Sequence, residues 1–172
     1  MDAAVTPSDI EHAAGRIAGV AVVAALLAFW VQERVRVYPH DLAFFNSLAG
    51  GPDRGAEWLV DSNLDWGQDL KPLARWLEEH QIRRVNLAYF GTADPRYYGI
   101  DATYLEGSEL LVPEEVLGRP ELPGYVAVSE TLLAGVYGDS SRREFYRGLE
   151  RQQPVAVIGH SIRVYWVTKP WW

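Results

Sequence analysis

The stretch Ala56-Glu-Trp-Leu-Val-Asp-Ser-Asn-Leu-Asp-Trp-Gly-Gln-Asp-Leu-Lys-Pro-Leu-Ala-Arg-Trp-Leu-Glu-Glu-His-Gln-Ile-Arg-Arg-Val-Asn-Leu-Ala-Tyr-Phe90 decides the fold. Its first five residues are apolar enough for a strand. Residues 68–80 place Leu70, Leu73, Ala74 and Leu77 on one helical face. Pro72 is tolerable because it falls in the first turn, where its missing N–H has no intrahelical partner. Val85 to Phe90 is a short apolar run of the kind buried on both faces of a sheet. Strand, helix and strand in this order predict a βαβ unit with parallel strands and a right-handed crossover.

Between the first strand and the helix, residues 61–69 carry three carboxylates (Asp61, Asp65, Asp69), two amides (Asn63, Gln68) and Trp66. An ordinary turn needs one cap and one Gly, so this loop is over-supplied with polar groups. Open α/β sheets place ligands here, outside the carboxyl ends of strands and near helix N-termini. Capping and turn formation would also use Asp and Asn, and spacing alone does not separate the two uses.

Downstream, Gly91 to Pro95 turns the chain outward, residues 101–124 read as an irregular surface excursion, and 125–129 is a third strand. Residues 131–136 and 142–151 read as helical pieces. Residues 154–158 and 161–168 read as strands, joined by Gly159-His160 as a two-residue II′ turn, with one long strand as the alternative. Upstream, Pro39 ends a helix and residues 41–48 form a short helix capped by Asp41 and closed by Gly50-Gly51-Pro52. The expected fold is α/β: a small three-layer sandwich with a mainly parallel sheet and an antiparallel edge, preceded by one transmembrane helix.

That helix comes from Ile17 to Gln32, sixteen residues without a charge, bounded by Arg16 and Glu33-Arg34. As a helix the run rises about 24 Å, and snorkelling stems with Trp30 and Tyr38 at the interface extend its reach. A secretory signal fits less well, since Met1 to Gly15 has three acids and no Lys or Arg, and a buried core helix is the other alternative. The resulting division is an N-terminal tail (1–15), a membrane helix (16–37), a connector (38–55) and an α/β domain (56–172). The closing Lys169-Pro170-Trp171-Trp172 reads either as an interfacial anchor or as an untethered end.

Composition narrows the chemistry. Apolar residues make up 48% of the 172, with seven Trp, which is enough for a core. A net charge of −7 argues against nucleic-acid binding. The absence of Cys removes disulfides, thiolate metal sites and a Cys nucleophile. The four His (12, 40, 80 and 160) lack zinc spacing, and Ser161 beside His160 is not triad geometry. Asp61-x-Asn63-x-Asp65 with Asp69 resembles a calcium ladder. However, Trp66 stands where that loop needs Gly, and Pro72 where it needs Glu. No metal, cofactor or catalytic residue is therefore assigned.

Three polar clusters follow the three parallel strands: Asp61, Asn63, Asp65, Gln68 and Asp69; then Asp94, Arg96, Tyr97 and Tyr98; then Ser129 with Glu130. Parallel strands bring them to one edge, where acids, an Arg and two Tyr suit a glycan or sugar-phosphate ligand. Local pairing of Arg96 with Asp94 and ordinary packing of the tyrosines are the simpler alternative.

The stretches YPHDLAFFNSLAGGP, LVDSNLDWGQDL, AYFGTADPRYYGI, GYVAVSETLLAGVYG and PVAVIGHSIRVYWV occur in that order. Over residues 38–168 the chain resembles the C-terminal soluble portion of bacterial family 39 membrane glycosyltransferases. These are similar to protein O-mannosyltransferases and to the aminoarabinose transferases of lipid A. In such enzymes a multi-helix membrane body moves a sugar from a polyprenyl-phosphate carrier to an extracytoplasmic acceptor. Their catalytic acid lies in an early loop that has no counterpart here.

The resemblance therefore implies a non-catalytic, extracytoplasmic tail domain at the cytoplasmic membrane. Its partners would be the lipid bilayer and a multi-helix body in the same or a separate chain. An independent membrane-anchored glycan-binding module is the alternative. A small hydrolase using Asp61 and Asp65 is the third reading.

Overall fold

The computed structural model describes residues 7–60 and 63–172, with side chains from Ile10 onward. Two compact units divide at Pro39 and His40. The first is α1, Pro7–Val37. Residues Ile10–Val37 are long and apolar enough to cross a membrane, with a mean hydropathy of 2.0 in the most apolar stretch. Val20, Val23, Leu26, Leu27 and Trp30 are each more than half exposed. That much contiguous apolar surface is not stable in water and is what a lipid-facing helix presents. The protein is membrane-anchored through α1, with its α/β domain in the aqueous phase, an arrangement consistent with an extracytoplasmic orientation.

The second unit is a mixed α/β sandwich around a five-stranded sheet of order β2-β1-β3-β5-β4. The strands are β1 Val85–Ala88, β2 Ala102–Tyr104, β3 Gly124–Ser129, β4 Ala156–Ile158 and β5 Ile162–Val167. β1 runs parallel to both β2 and β3, whereas β5 is antiparallel to β3 and to β4.

Period-two alternation divides the core. Val85, Leu87, Ala127, Ile162 and Val164 pack with Leu70, Leu73 and Leu77 of α2 (Leu70–Glu79) on one face. On the other face Ala88, Val126, Val128, Tyr165 and Val167 pack with α3 (Glu130–Leu133) and α4 (Ser140–Glu150), which supply Leu132, Leu133, Tyr146 and Leu149. The one polar residue buried in β1, Asn86, bonds the main chain of Glu121 and Tyr125. Its amide is thereby satisfied, and the loop before β3 is fixed.

Four expectations change. Residues 56–60 are not a strand: Pro52–Glu57 is a 3-10 helix, and Trp58 and Leu59 are 63% and 53% exposed. The Trp58 indole donates to Ala49 O at 2.8 Å, so its apolar ring lies over the connector rather than inside a sheet. The expected helix over 41–48 is two 3-10 turns, Asp41–Ala43 and Ser47–Ala49, separated by extended Phe44. The cap is Asn46, which accepts from Ala49 N, and not Asp41. The excursion 101–124 contains β2, which forms the parallel edge of the sheet.

The fourth change concerns the turn between β4 and β5. It has positive φ at both Gly159 (58°) and His160 (69°), the I′ pattern rather than II′. At the C-terminus, Trp171 and Trp172 pack on Phe145 of α4, which tethers the end to the domain.

Candidate functional site

The carboxyl ends of β1, β2, β3 and β4 share one edge of the sheet, as their pairing requires. Residues 63–69 reach this edge although no strand precedes them among the described residues. α2 enters β1 at the opposite, amino edge, so its N-terminus lies at the carboxyl edge. Asp61 lies outside the described residues.

Asp65 is fully buried. Its carboxylate accepts from Gly67 N at 3.0 Å and from Thr131 N at 3.3 Å, which ties the loop to the start of α3. Burial pushes its pKa up to about 6, and the two backbone donors hold it from rising further. Gly67 has φ of 70°, and a Cβ there would lie 2.5 Å from the Tyr89 hydroxyl. That hydroxyl donates to Gly67 O at 2.6 Å. Burial, reinforced by the nearby Asp65 charge, raises the Tyr89 pKa to about 12, so it remains a donor. Gln68 is spent within the loop, donating to Leu64 O and accepting from Trp66 N. Asn63 is exposed.

Asp69 occupies the N-cap position of α2 but makes no capping bond. Its carboxylate accepts from Ser161 Oγ at 2.7 Å, with His40 Nδ1 at 3.6 Å. Burial raises its pKa, opposed by the Ser161 bond and by the two neighbouring histidines. His160 pairs with Asp53 at 2.7 Å, and the His40 and His160 rings meet edge to face at 5.5 Å. A Cβ on Gly159 would lie 2.1 Å from the Asp69 carboxyl carbon, so only glycine lets the hairpin close over it.

Reciprocal pairing thus clasps the connector to the domain. The connector gives His40 to Asp69 and Asp53 to His160. His40, Asp53, His160 and Ser161 carried no spacing signal, because 107 residues separate the members of one pair. The only local hint was the Gly-His turn.

Ser129 is buried, and its Oγ accepts from Phe90 N at 3.1 Å. Glu130 is buried against Arg163 of β5. Its pKa is raised by burial and held back by the guanidinium.

The second cluster does not join this group. Asp94 accepts from the backbone N and the guanidinium of Arg96 in an exposed local pair. Tyr97 is 84% exposed and meets Tyr98 edge to face. Tyr98 lines a groove with Lys71, Arg75 and Glu78 of α2. The simpler alternative thus holds for Arg96 and Asp94.

Among the described residues no group of three His, Asp or Glu side chains is arranged to hold a metal ion. No family model, curated protein or solved structure matches this chain.

Proposed function

We infer that the chain is the extracytoplasmic tail domain of a lipid-carrier-dependent glycosyltransferase. It assists transfer from a polyprenyl-phosphate sugar and supplies no catalytic group. The fate of the carboxylates carries this reading. The hydrolytic reading names Asp61 and Asp65; of these Asp65 is among the described residues, and Asp69 is the other described acid of the loop. Both described acids are buried, and their oxygens are committed to protein donors. A general acid or nucleophile must reach the reacting oxygen, and these cannot.

The same burial suits a scaffold. Three of the stretches that carry the family resemblance meet in one cluster, through His40, Asp69 and His160 with Ser161. Contact between these stretches supports reading them as one structural unit. The anchor α1 supports a location beside a membrane-embedded body.

Sugar transfer to an envelope acceptor is measured in membranes from cells whose copy of residues 40–172 is deleted. Transfer is expected to fall and to return when the domain is restored. The purified chain in nanodiscs is expected to turn over no polyprenyl-phosphate sugar. Turnover by the chain alone, or undiminished transfer without the domain, overturns the reading.

A further inference from the structure

The polar motif seals part of the carboxyl edge, but an adjoining part of that edge is open. A cavity of about 420 Å³ is lined by Phe90, Leu110, Leu132 and Tyr137, with Glu109 and Arg142 in its wall. Phe90 follows β1, Leu110 lies in the loop after β2, and Leu132 is in α3 immediately after β3. In the order β2-β1-β3-β5-β4 the chain leaves β1 towards β2 and leaves β3 towards β4 on the opposite side, so β1 and β3 flank the topological switch point. Open α/β sheets bind ligands at that point. Gly107 (φ 100°) brings the loop against Leu132, since a Cβ there would lie 2.7 Å from a Leu132 methyl.

Across the Glu109–Arg142 ion pair lies a second cavity, of about 390 Å³. Its wall is polar, with Glu106, Glu114 and Asp139 against Arg119. The ion pair is shared by both cavities. Phe90 and Tyr137 stack with ring centroids 5.5 Å apart and planes 7° from parallel, and Tyr137 is 57% exposed.

We propose that this double cavity binds a neutral saccharide, one ring against Tyr137 and Leu110 and its hydroxyls on Glu109 and Arg142. A sugar ring has an apolar C–H face and a polar rim, and the first cavity offers an aromatic and aliphatic wall next to a charged pair. A guanidinium and a carboxylate that already hold each other keep unused donors and acceptors for vicinal hydroxyls. The second cavity gives a further ring room beyond the pair. Charge selects the ligand: the two cavities are lined by four acids and two arginines. A phosphorylated or uronic sugar is disfavoured by that excess. The placement replaces the acidic 61–69 loop as the ligand site, and its role in sugar transfer rests on the function proposed above.

Saturation-transfer NMR is run on the full chain in nanodiscs with methyl glycosides of glucose, galactose, mannose and N-acetylglucosamine, and with glucose 6-phosphate. A neutral glycoside is expected to receive saturation at least about fivefold more strongly than the phosphate, a factor worth about 1 kcal/mol. Tyr137→Ala and the cavity-filling Leu110→Trp are expected to abolish the signal, and Trp66→Ala, outside the lining, to retain it.

Absence of signal with every glycoside overturns the proposal. So does preference for the phosphate, or an unchanged signal in Leu110→Trp, a substitution at a 58% exposed position. If glycosides bind but membranes lacking residues 40–172 transfer sugar normally, the accessory role fails and the cavity stands. If transfer needs the domain but no glycoside binds, the cavity fails and the role stands.

Discussion

Replacing Asp65 by Asn changes how stability depends on pH. The folded-state pKa of about 6 stands above the ordinary value of 3.8, so the folded protein holds this proton more tightly than the unfolded chain. The associated stability is fully present below pH 3.8 and is lost as pH climbs through about 6. A difference of just over two pKa units corresponds to about 3 kcal/mol. Asn cannot ionise and removes this dependence. It also leaves one of the two backbone N–H groups facing an amide NH2, a cost of about 1–3 kcal/mol that does not vary with pH.

The difference in unfolding free energy, Asp65→Asn minus wild type, should therefore rise by about 2.4 kcal/mol between pH 4 and pH 7. Taking the difference cancels the carboxylates that do not interact with Asp65; Glu130, whose pKa the Asp65 charge helps to raise, is the exception. Urea unfolding of the full chain in micelles, followed by near-ultraviolet circular dichroism, measures it. A difference that stays flat across this range refutes the burial argument, because it means the ionised form of Asp65 is fully compensated.

Three further substitutions test other parts of the structure. Gly159→Ala is expected to lose more than about 2 kcal/mol, since it meets both a φ of +58° and the Asp69 carboxylate; an unchanged thermal midpoint would show that the hairpin does not close there. Arg163→Met strands the buried Glu130 and should cost about 3 kcal/mol, with partial recovery when Glu130→Gln is added; no recovery in the double variant would remove the charge explanation. Alkaline carbonate should leave the wild-type chain in the membrane pellet. Leu26→Arg should shift part of it to the supernatant, at about 2.5–3.5 kcal/mol per central charge; wild type in the supernatant would argue against a spanning α1.

Much of the architecture was legible because periodicity reports burial directly. The helix over Leu70, Leu73 and Leu77 buries the face its spacing predicts, and the apolar runs around Leu87, Val126 and Val164 form the buried strands read from them. Residues 56–60 misled because Trp58 and Leu59 are apolar yet exposed, and composition carries no sign of which side faces water. β2 was missed because a three-residue edge strand with half-buried side chains has no periodicity to detect. At the site, the polar excess of residues 61–69 was legible as an anomaly. Its partners were not, since His40, Asp53 and His160 reach it only through the completed fold.

The sealed and open parts of the carboxyl edge are mechanically one device. Asp65 holds Thr131 N, the residue before Leu132, and Ser129 Oγ holds Phe90 N. Leu132 and Phe90 are apolar walls of the cavity, one from each side of the switch point. Both walls are apolar side chains, and their loops are fixed through neighbouring polar groups, the Glu130–Arg163 pair among them. The motif supplies part of that fixation from below, where exclusion of water makes each backbone hydrogen bond costly to break. A buried carboxylate on a main-chain N–H sets a loop more firmly than an exposed one, because solvent cannot replace the bond. The polar groups at this edge thus serve placement of Phe90 and Thr131, and recognition falls to the aromatic and ion-paired groups of the cavity wall. On this logic Asp65→Asn should weaken glycoside binding without abolishing it, whereas Tyr137→Ala abolishes binding and leaves the pH dependence of stability intact. If the two substitutions had equal effects on both measurements, the division between scaffold and binding wall would not exist.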